Sequence, residues 1–386
     1  MHEAVIVDVI RTPSGRGKPG GQLSGIHAVD LLAGVLETLV QRSDLDPALV
    51  DDVIAGCVSQ IGEQGYNIGR NALLAAGFPE HVPGTTVDRQ CGSSQQAAMF
   101  AAQGVMTGQY DIAIACGVES MSRIPLGTSV AGMDRYGSKL RARYPEGLVN
   151  QGVSAELIAH KWGLDRETLD EFSARSHRLA VEAREAFATE IVPTAGHTID
   201  ETIRDTTTVE GLAGLNPAFR TDELAARFPE LDWRITPGNS SPFTDGASAA
   251  LIMSAERAES LGLKPRARFH AFAVTGSDPI FMLTGIIPAT KKVLERAGLG
   301  IDDLDAYEVN EAFASVPLAW QKELGTDPDK LNPRGGAIAL GHPLGASGTR
   351  LLTTLVNQLE ATGGRWGLQT MCEGGGMANA TIIERL

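Results

Sequence analysis

The chain has 386 residues, with 33 basic side chains against 47 acidic ones, a formal charge of −14. At about 150 residues per domain, that length holds two or three domains and a large core. A hydrophobic content of 43% with 21% charged residues excludes a disordered chain, and the acidic balance excludes a general nucleic-acid binder. Glycine is the outlier, at 44 residues against an average usage of about 7%. There is no Gly-X-Y period, so collagen is excluded and the glycine runs need local explanations.

Residues 1–13 form a short apolar stretch followed by Arg11-Thr12-Pro13. They lack the basic-then-apolar pattern of a secretory leader. No apolar run approaches the ~18 residues of a membrane span. Cys57, Cys91, Cys116 and Cys372 are scattered, without CxxC or metal-like spacing. That usage fits a reducing cytoplasm, with no metal site and no disulfide framework.

Strands and helices alternate along the chain. Ala4–Ile10, Val53–Val58 and Asp111–Cys116 read as short buried strands. Between the first two, Leu31, Leu32, Val35, Leu36, Leu39 and Val40 recur at helical spacing. This is βαβ grammar, which predicts a parallel sheet covered by helices. Residues 118–240 have a different texture. They carry a basic run (Arg135, Lys139, Arg141, Arg143) and one amphipathic helix with Leu169, Phe172, Ser176, Leu179, Ala183 and Phe187 on its buried face. Such a block reads as an insertion, a lid or binding loop carried on the scaffold.

The βαβ grammar returns near residue 267. Ala267–Val274 is a strand, Pro288 opens a helix that Gly298 ends, and Leu304–Val309 is the next strand. Asp51-Asp52-Val53-Ile54-Ala55-Gly56 matches Asp302-Asp303-Leu304-Asp305-Ala306-Tyr307 in kind and in place. The two halves read as a weak internal duplication. The last strands are Trp366–Met371 and Ala380–Ile383.

Chemistry concentrates at four places. Cys91, in Asp88-Arg89-Gln90-Cys91-Gly92-Ser93-Ser94, sits where a small-residue helix starts. Unpaired N–H groups and the helix dipole there favour thiolate. Taken alone, a buried structural thiol is the commoner fate, and for Cys57 and Cys116 that reading stands. His342 closes Gly335-Gly336-Ala337-Ile338-Ala339-Leu340-Gly341 at the matching turn of the second half. If the halves pack about a pseudo-twofold axis, the two turns meet as an activated thiol; the bland alternative is a loop histidine. Cys372 opens a triple-glycine loop whose N–H groups suit an oxyanion, and the same segment reads as a hairpin turn. Asn310, after a strand, either holds a carbonyl oxygen or a water, or caps a helix.

These four segments (the DRQCGSS turn, NEAFA, GGAIALGHPLGASG and CEGGG) resemble those of the thiolase family, in order and over essentially the whole chain. The resemblance implies a five-layered αβαβα fold. Its N-terminal half comprises residues 1–117 plus 241–264, its CoA-binding loop domain 118–240, and its C-terminal half 265–386. It implies Claisen and thioester chemistry on acyl-CoA and CoA, with no permanently bound cofactor, in a homodimer or homotetramer. Carried over by position, Cys91 takes the acyl group and His342 promotes thiolate formation. Cys372 moves the α-carbon or CoA proton. Asn310, through a water, and His342 hold the enolate oxygen, while the N–H groups of Cys91 and Gly374 hold the acyl-enzyme oxygen. Arg204 resembles the adenine-stacking arginine and Ser241 the serine at the pantetheine arm; Met282 and Phe313 fall at the acyl pocket.

The chain departs from the commonest pattern at Asp88 (usually Asn), Ser94 (usually Gly), Glu373 and Met377-Ala378-Asn379. Asn150-Gln151-Gly152 replaces the His-Met-Gly of acetoacetyl-specific enzymes, and Leu283 with Ile286-Ile287 stand where smaller residues are common. These features resemble degradative 3-ketoacyl-CoA thiolases, including those acting on bulky or ring-derived acyl groups. The alternatives are a biosynthetic acetyl-CoA acetyltransferase and a non-catalytic acyl-CoA-binding relative. A decarboxylating ketosynthase or hydroxymethylglutaryl-CoA synthase lacks the second cysteine in its glycine loop.

Overall fold

The computed structural model describes residues 2–386. Ten strands form one hydrogen-bonded network, nine of them along a single path. They are β1 (Ala4–Arg11), β2 (Gly15–Arg16), β3 (Asp52–Gly56), β4 (Gly84–Val87), β5 (Ile112–Ser120), β6 (Thr244–Ser254), β7 (Ala267–Gly276), β8 (Ala306–Val309), β9 (Trp366–Glu373) and β10 (Met377–Arg385). The order is β4-β3-β5-β6-β1-β7-β10-β9-β8, with β2 on β6. Every residue of β1, β5 and β6 is buried. Strands covered on both faces lose the alternating pattern and read as continuous small and apolar runs.

The expected parallel sheet is a mixed one. β3 pairs parallel with β4 and β5, and β8 with β9, but the other pairs are antiparallel. Periodicity reports burial and not strand direction; β6 was not read from it, whereas the last strand, expected as Ala380–Ile383 after a hairpin turn, is β10, antiparallel to β9. The duplication is present as topology: β3-β5-β6-β1 repeats as β8-β9-β10-β7, direction for direction. The halves touch at β1 and β7 through only two register pairs, Val5 with Arg268 and Ile6 with Ala267.

Three apolar clusters separate five layers. The helices Ala28–Arg42 and Ile68–Ala75 cover the outer face of the first sheet. The helices Ile286–Ala297 and Ser315–Leu324 cover the outer face of the second. Between the sheets lie two helices, Ser93–Thr107 and Ser347–Thr362. There Ala97, Ala98, Ala101 and Ala102 face Leu352, Leu355, Val356 and Leu359. Each leads into the equivalent strand of its half, β5 or β9, so their N-termini are equivalent places.

The chain between β5 and β6 contributes no strand to the sheet path. Its helix Gln151–Lys161 packs on Ser315–Leu324, and Arg166–Glu182 packs on the short helix Ala337–Leu340. The amphipathic helix ends at Glu182, and Phe187 is buried from a separate 3-10 turn. The other helix begins at Ile286, two residues before Pro288, and closes on Gly298 at φ +68°. Buried charges tie the inserted chain down: Arg11 of β1 pairs with Glu190 at 3.1 Å and Asp200 at 2.7 Å, and Arg334 reaches Glu190 at 3.1 Å.

Candidate active site

β4 delivers the chain to the turn 88–92, and the Ser93–Thr107 helix leaves it. The Asp88 carboxylate accepts from the Gln90 amide at 2.7 Å, an Asx-type turn. That bond holds Gln90 at φ +49°, a backbone region disfavoured for side-chain-bearing residues. Cys91 follows, buried with Met121, Met371, Leu344 and Leu351. The last two flank the histidine turn of the other half, so the two turns meet.

The Cys91 thiol departs from the low pKa expected of a helix start. Burial first, then the Glu373 carboxyl, push it up to about 12, against a bond from Gln151 that lowers it. Desolvation of the anion outweighs the helix end here. The resting sulfur is a thiol that needs a base.

His342 is the candidate base, on the turn whose flanking Leu344 and Leu351 pack with Cys91. Burial, reinforced by the nearby Arg350 charge, pushes its imidazole down to about 3, so it is neutral. Its Nδ1 lies 2.5 Å from Ser347 Oγ, which itself donates to Pro343 O at 2.9 Å. With the Ser347 proton committed, Nδ1 carries the imidazole hydrogen and Nε2 the lone pair. Asn310 Nδ2 lies 3.4 Å from that Nε2. Asn310 caps no helix, since the next one is capped at Ala314. Its Oδ1 is buried without a partner.

Two buried carboxylates, absent from the sequence reading, brace the histidine turn. Glu119 accepts from Val58 N, Ser59 N and Gln64 Nε2 in the first half and from Gly345 N in the second. Glu311 accepts from Ser176 Oγ, Asn332 Nδ2 and Ile338 N. Their signal was a glutamate at the end of an apolar strand, where a charge requires several donors.

Cys372 is the penultimate residue of β9, fully buried. Burial first, then Cys91 and Glu373, raise its thiol, which places it among the same groups. The Gly374 α-carbon faces Gln90 and Gln151, the residues flanking Cys91 in sequence and in space. The glycine loop and the nucleophile turn are therefore neighbours. Cys57 and Cys116 are buried in the first sheet's core.

A pocket opens beside the chain between β5 and β6, lined by Arg204, His177, Ser240, Phe243, Ile338 and, unforeseen, Arg16 and Lys18. The basic run lies elsewhere: Arg141 pairs with Asp134, and Arg135 and Arg143 stack on Tyr136 and Tyr144. Ser240 lines the pocket in place of Ser241, whose amide is tied to Ala312 O at 3.0 Å. Hairpin cations such as Arg16 and Lys18 read as a solvated surface until the fold brings them to a cavity. Near the glycine loop, Met282 is buried at φ +34°, and Phe313 meets Phe219 edge-on with centroids 5.9 Å apart. Among the described residues no group of three acidic, His or Cys side chains could hold a metal, and no helix is long and apolar enough to cross a membrane.

A cysteine and a histidine on equivalent turns of a duplicated five-layer αβαβα fold, with a second cysteine alongside, define a thiolase-type acyltransferase. Comparison with known proteins agrees: residues 4–256 match the thiolase N-terminal domain and residues 263–385 the thiolase C-terminal domain. The chain belongs to the thiolase family. It is 48% identical over 400 residues to a steroid 3-ketoacyl-CoA thiolase of Mycobacterium tuberculosis, covering 100% of this chain and 95% of that one. It is 45% identical over 404 residues to a 3-ketoacyl-CoA thiolase of Salmonella typhimurium, covering all of both. A crystal structure of the Bacillus anthracis acetyl-CoA acetyltransferase superposes with a TM-score of 0.88 at 36% identity, covering 100% and 99%.

Proposed function

We propose that this enzyme is a 3-ketoacyl-CoA thiolase working in the degradative direction, cleaving a 3-ketoacyl-CoA with CoA into acetyl-CoA and a shortened acyl-CoA. The observation that carries this reading is Cys372 beside Cys91, with a neutral His342 whose Nε2 is free to take a proton. The Cys91 proton passes to His342 Nε2, and Sγ attacks the 3-keto carbonyl. The Cα–Cβ bond breaks, and its electron pair forms the acetyl-CoA enolate, with the oxygen held by Asn310 and His342. Cys372 gives its proton to the α-carbon. It then takes the proton of incoming CoA, whose sulfur attacks the acyl-Cys91 thioester and releases the shortened acyl-CoA, while Cys91 leaves as thiolate and takes back its proton from His342. The amides of Cys91 and Gly374 hold the acyl oxygen.

Arg204, Arg16 and Lys18 face the CoA nucleotide, with Ser240 and Ser241 along the pantetheine arm; Met282 and Phe313 bound the acyl group. Residues 118–240 act as the CoA-binding loop domain between the two halves 1–117 plus 241–264 and 265–386. We place the enzyme in the cytoplasm as a homodimer or homotetramer, in β-oxidation-type breakdown of acyl-CoAs. The Asn150-Gln151-Gly152 segment and the names of the relatives above favour acyl groups longer or bulkier than acetoacetyl. The test is CoA-dependent cleavage of 3-ketoacyl-CoAs from acetoacetyl to long-chain and ring-bearing. The reading requires the highest kcat/KM on one of the larger substrates. A maximum on acetoacetyl-CoA would favour the biosynthetic acetyltransferase, and no cleavage of any would leave only acyl-CoA binding.

A further inference from the structure

Glu373 ends β9 one residue after Cys372. Alternation along a strand sends its side chain to the opposite face, beneath the start of the Ser93–Thr107 helix. A Cβ placed on Gly92 would lie 2.2 Å from its Oε1. The carboxyl is therefore in sequence with one reacting cysteine and in contact with the residue after the other. It is fully buried, and neither oxygen has a hydrogen-bond partner. Glu119 and Glu311, equally buried, accept four and three bonds. A buried carboxylate without donors is costly, and the neutral acid is the form such a site tolerates.

The groups around Glu373 come from three elements. β9 brings Cys372. β10 brings Asn379, whose amide is already committed to Gly92 O at 3.0 Å. The 88–92 turn brings Asp88, Arg89, Cys91 and Gly92. Arg89 is the sole cation of the set, and Asp88 opposes it. Burial pushes the Glu373 carboxyl up to about 8, and once ionised it raises both thiols.

We propose that Glu373 is a positioning residue that must stay a neutral acid for Cys91 to ionise, and that its ionisation shuts down acylation at alkaline pH. This rests on Cys91 being the nucleophile. With Glu373 protonated, moving the Sγ proton to His342 Nε2 leaves one anion in the pocket. With Glu373 ionised, its proton lost to solvent, the same step would place two anions in one desolvated space.

The experiment follows single-turnover acylation of Cys91 from acetyl-CoA by mass spectrometry, from about pH 6 to about pH 10. It compares the whole wild-type enzyme with Glu373→Gln, Glu373→Asp and Glu373→Met. The wild type should lose rate above about pH 8. Glu373→Gln should keep rising and exceed it by about tenfold per unit of thiol pKa recovered. Glu373→Asp should retain an alkaline fall. Glu308, also buried and pushed to about 8, titrates in the same range, so the variant and not the wild-type limb alone decides. A folded Glu373→Gln or Glu373→Met enzyme with the wild-type alkaline limb overturns the proposal. So does a wild type with no such limb, should neither variant fold. Acyl label absent from Cys91 in the wild type would instead overturn the site assignment itself.

Discussion

Removing the Ser347 hydroxyl tests the assignment of His342 as a base with its lone pair on Nε2. In the native site Ser347 Oγ accepts from Nδ1 at 2.5 Å and donates to Pro343 O at 2.9 Å. His342 is only 4% exposed, so no water stands ready to replace the hydroxyl. In Ser347→Ala the Nδ1–H has lost its acceptor, a penalty of about 1–3 kcal/mol for a buried polar group. The ring can escape it by moving the hydrogen to Nε2. That proton would face the Asn310 Nδ2 donor 3.4 Å away and would occupy the lone pair that Cys91 requires.

Both outcomes reach the same step. If the penalty is expressed on the way to thiolate–imidazolium, acylation slows by about 5- to 150-fold, at 1.36 kcal/mol per decade. With CoA placed at the Arg204 pocket, as proposed, its Michaelis constant should hold within about twofold of wild type. Rapid-quench acylation from acetyl-CoA, measured beside steady-state cleavage and circular dichroism, reads all three quantities. Ser347→Thr, which keeps the hydroxyl, should recover most of the rate. A folded Ser347→Ala enzyme acylating at the wild-type rate would refute both the tautomer and the role of Nε2.

Cys372→Ser should acylate Cys91 from acetyl-CoA while losing about 10²–10⁴-fold in ketoacyl cleavage, and Cys91→Ala should lose both; equal losses in Cys372→Ser would remove Cys372 from the carbon–carbon step. Arg204→Ala and the pair Arg16→Ala, Lys18→Ala should each raise the Michaelis constant for CoA, with a salt dependence weaker than that of wild type, because exposed charges act over a Debye length of about 8 Å; an unchanged constant in denaturation-free assays would move the nucleotide elsewhere. Glu190→Ala removes the carboxylate that Arg11 and Arg334 share in a buried cluster, and should cost about 3–5 kcal/mol of stability by urea titration; a loss below about 1 kcal/mol, the level of a surface pair, would mean that the cluster is solvated.

Much of the site was legible because its chemistry depends on unusual residues in costly backbone. Cys91 before a small-residue helix, and His342 inside a glycine run, needed something to approach closely, and the fold brings their turns together. The strands were legible from burial, within one to three residues at most ends. What the pattern could not carry was direction, because a strand covered on both faces looks alike whichever way its neighbour runs. It also missed groups whose meaning depends on a distant partner. Glu119 and Gly345 lie far apart in sequence, as do Glu311 and Ser176. The thiol pKa was read from the helix end alone, and desolvation together with Glu373 reversed its direction.

The small residues of the central layer bear on catalysis as well as on packing. A Cβ on Gly348 would lie 2.0 Å from Gln95 N, so the two central helices approach where only glycine fits. Thr349 N donates to Ser94 Oγ at 3.0 Å, and Gln95 Nε2 reaches Gln369 O and Thr381 Oγ1. These contacts lie within one turn of the helix starts that present Cys91 and His342. They therefore set the separation of nucleophile and base, a quantity to which rate is far more sensitive than stability is. Enlarging Gly348 would push against Gln95 and part the two turns. The duplication thus has a chemical consequence: the proposed nucleophile Cys91 comes from one half and His342 and Cys372 from the other, and the layer of alanines and glycines between the sheets lies where the two turns meet.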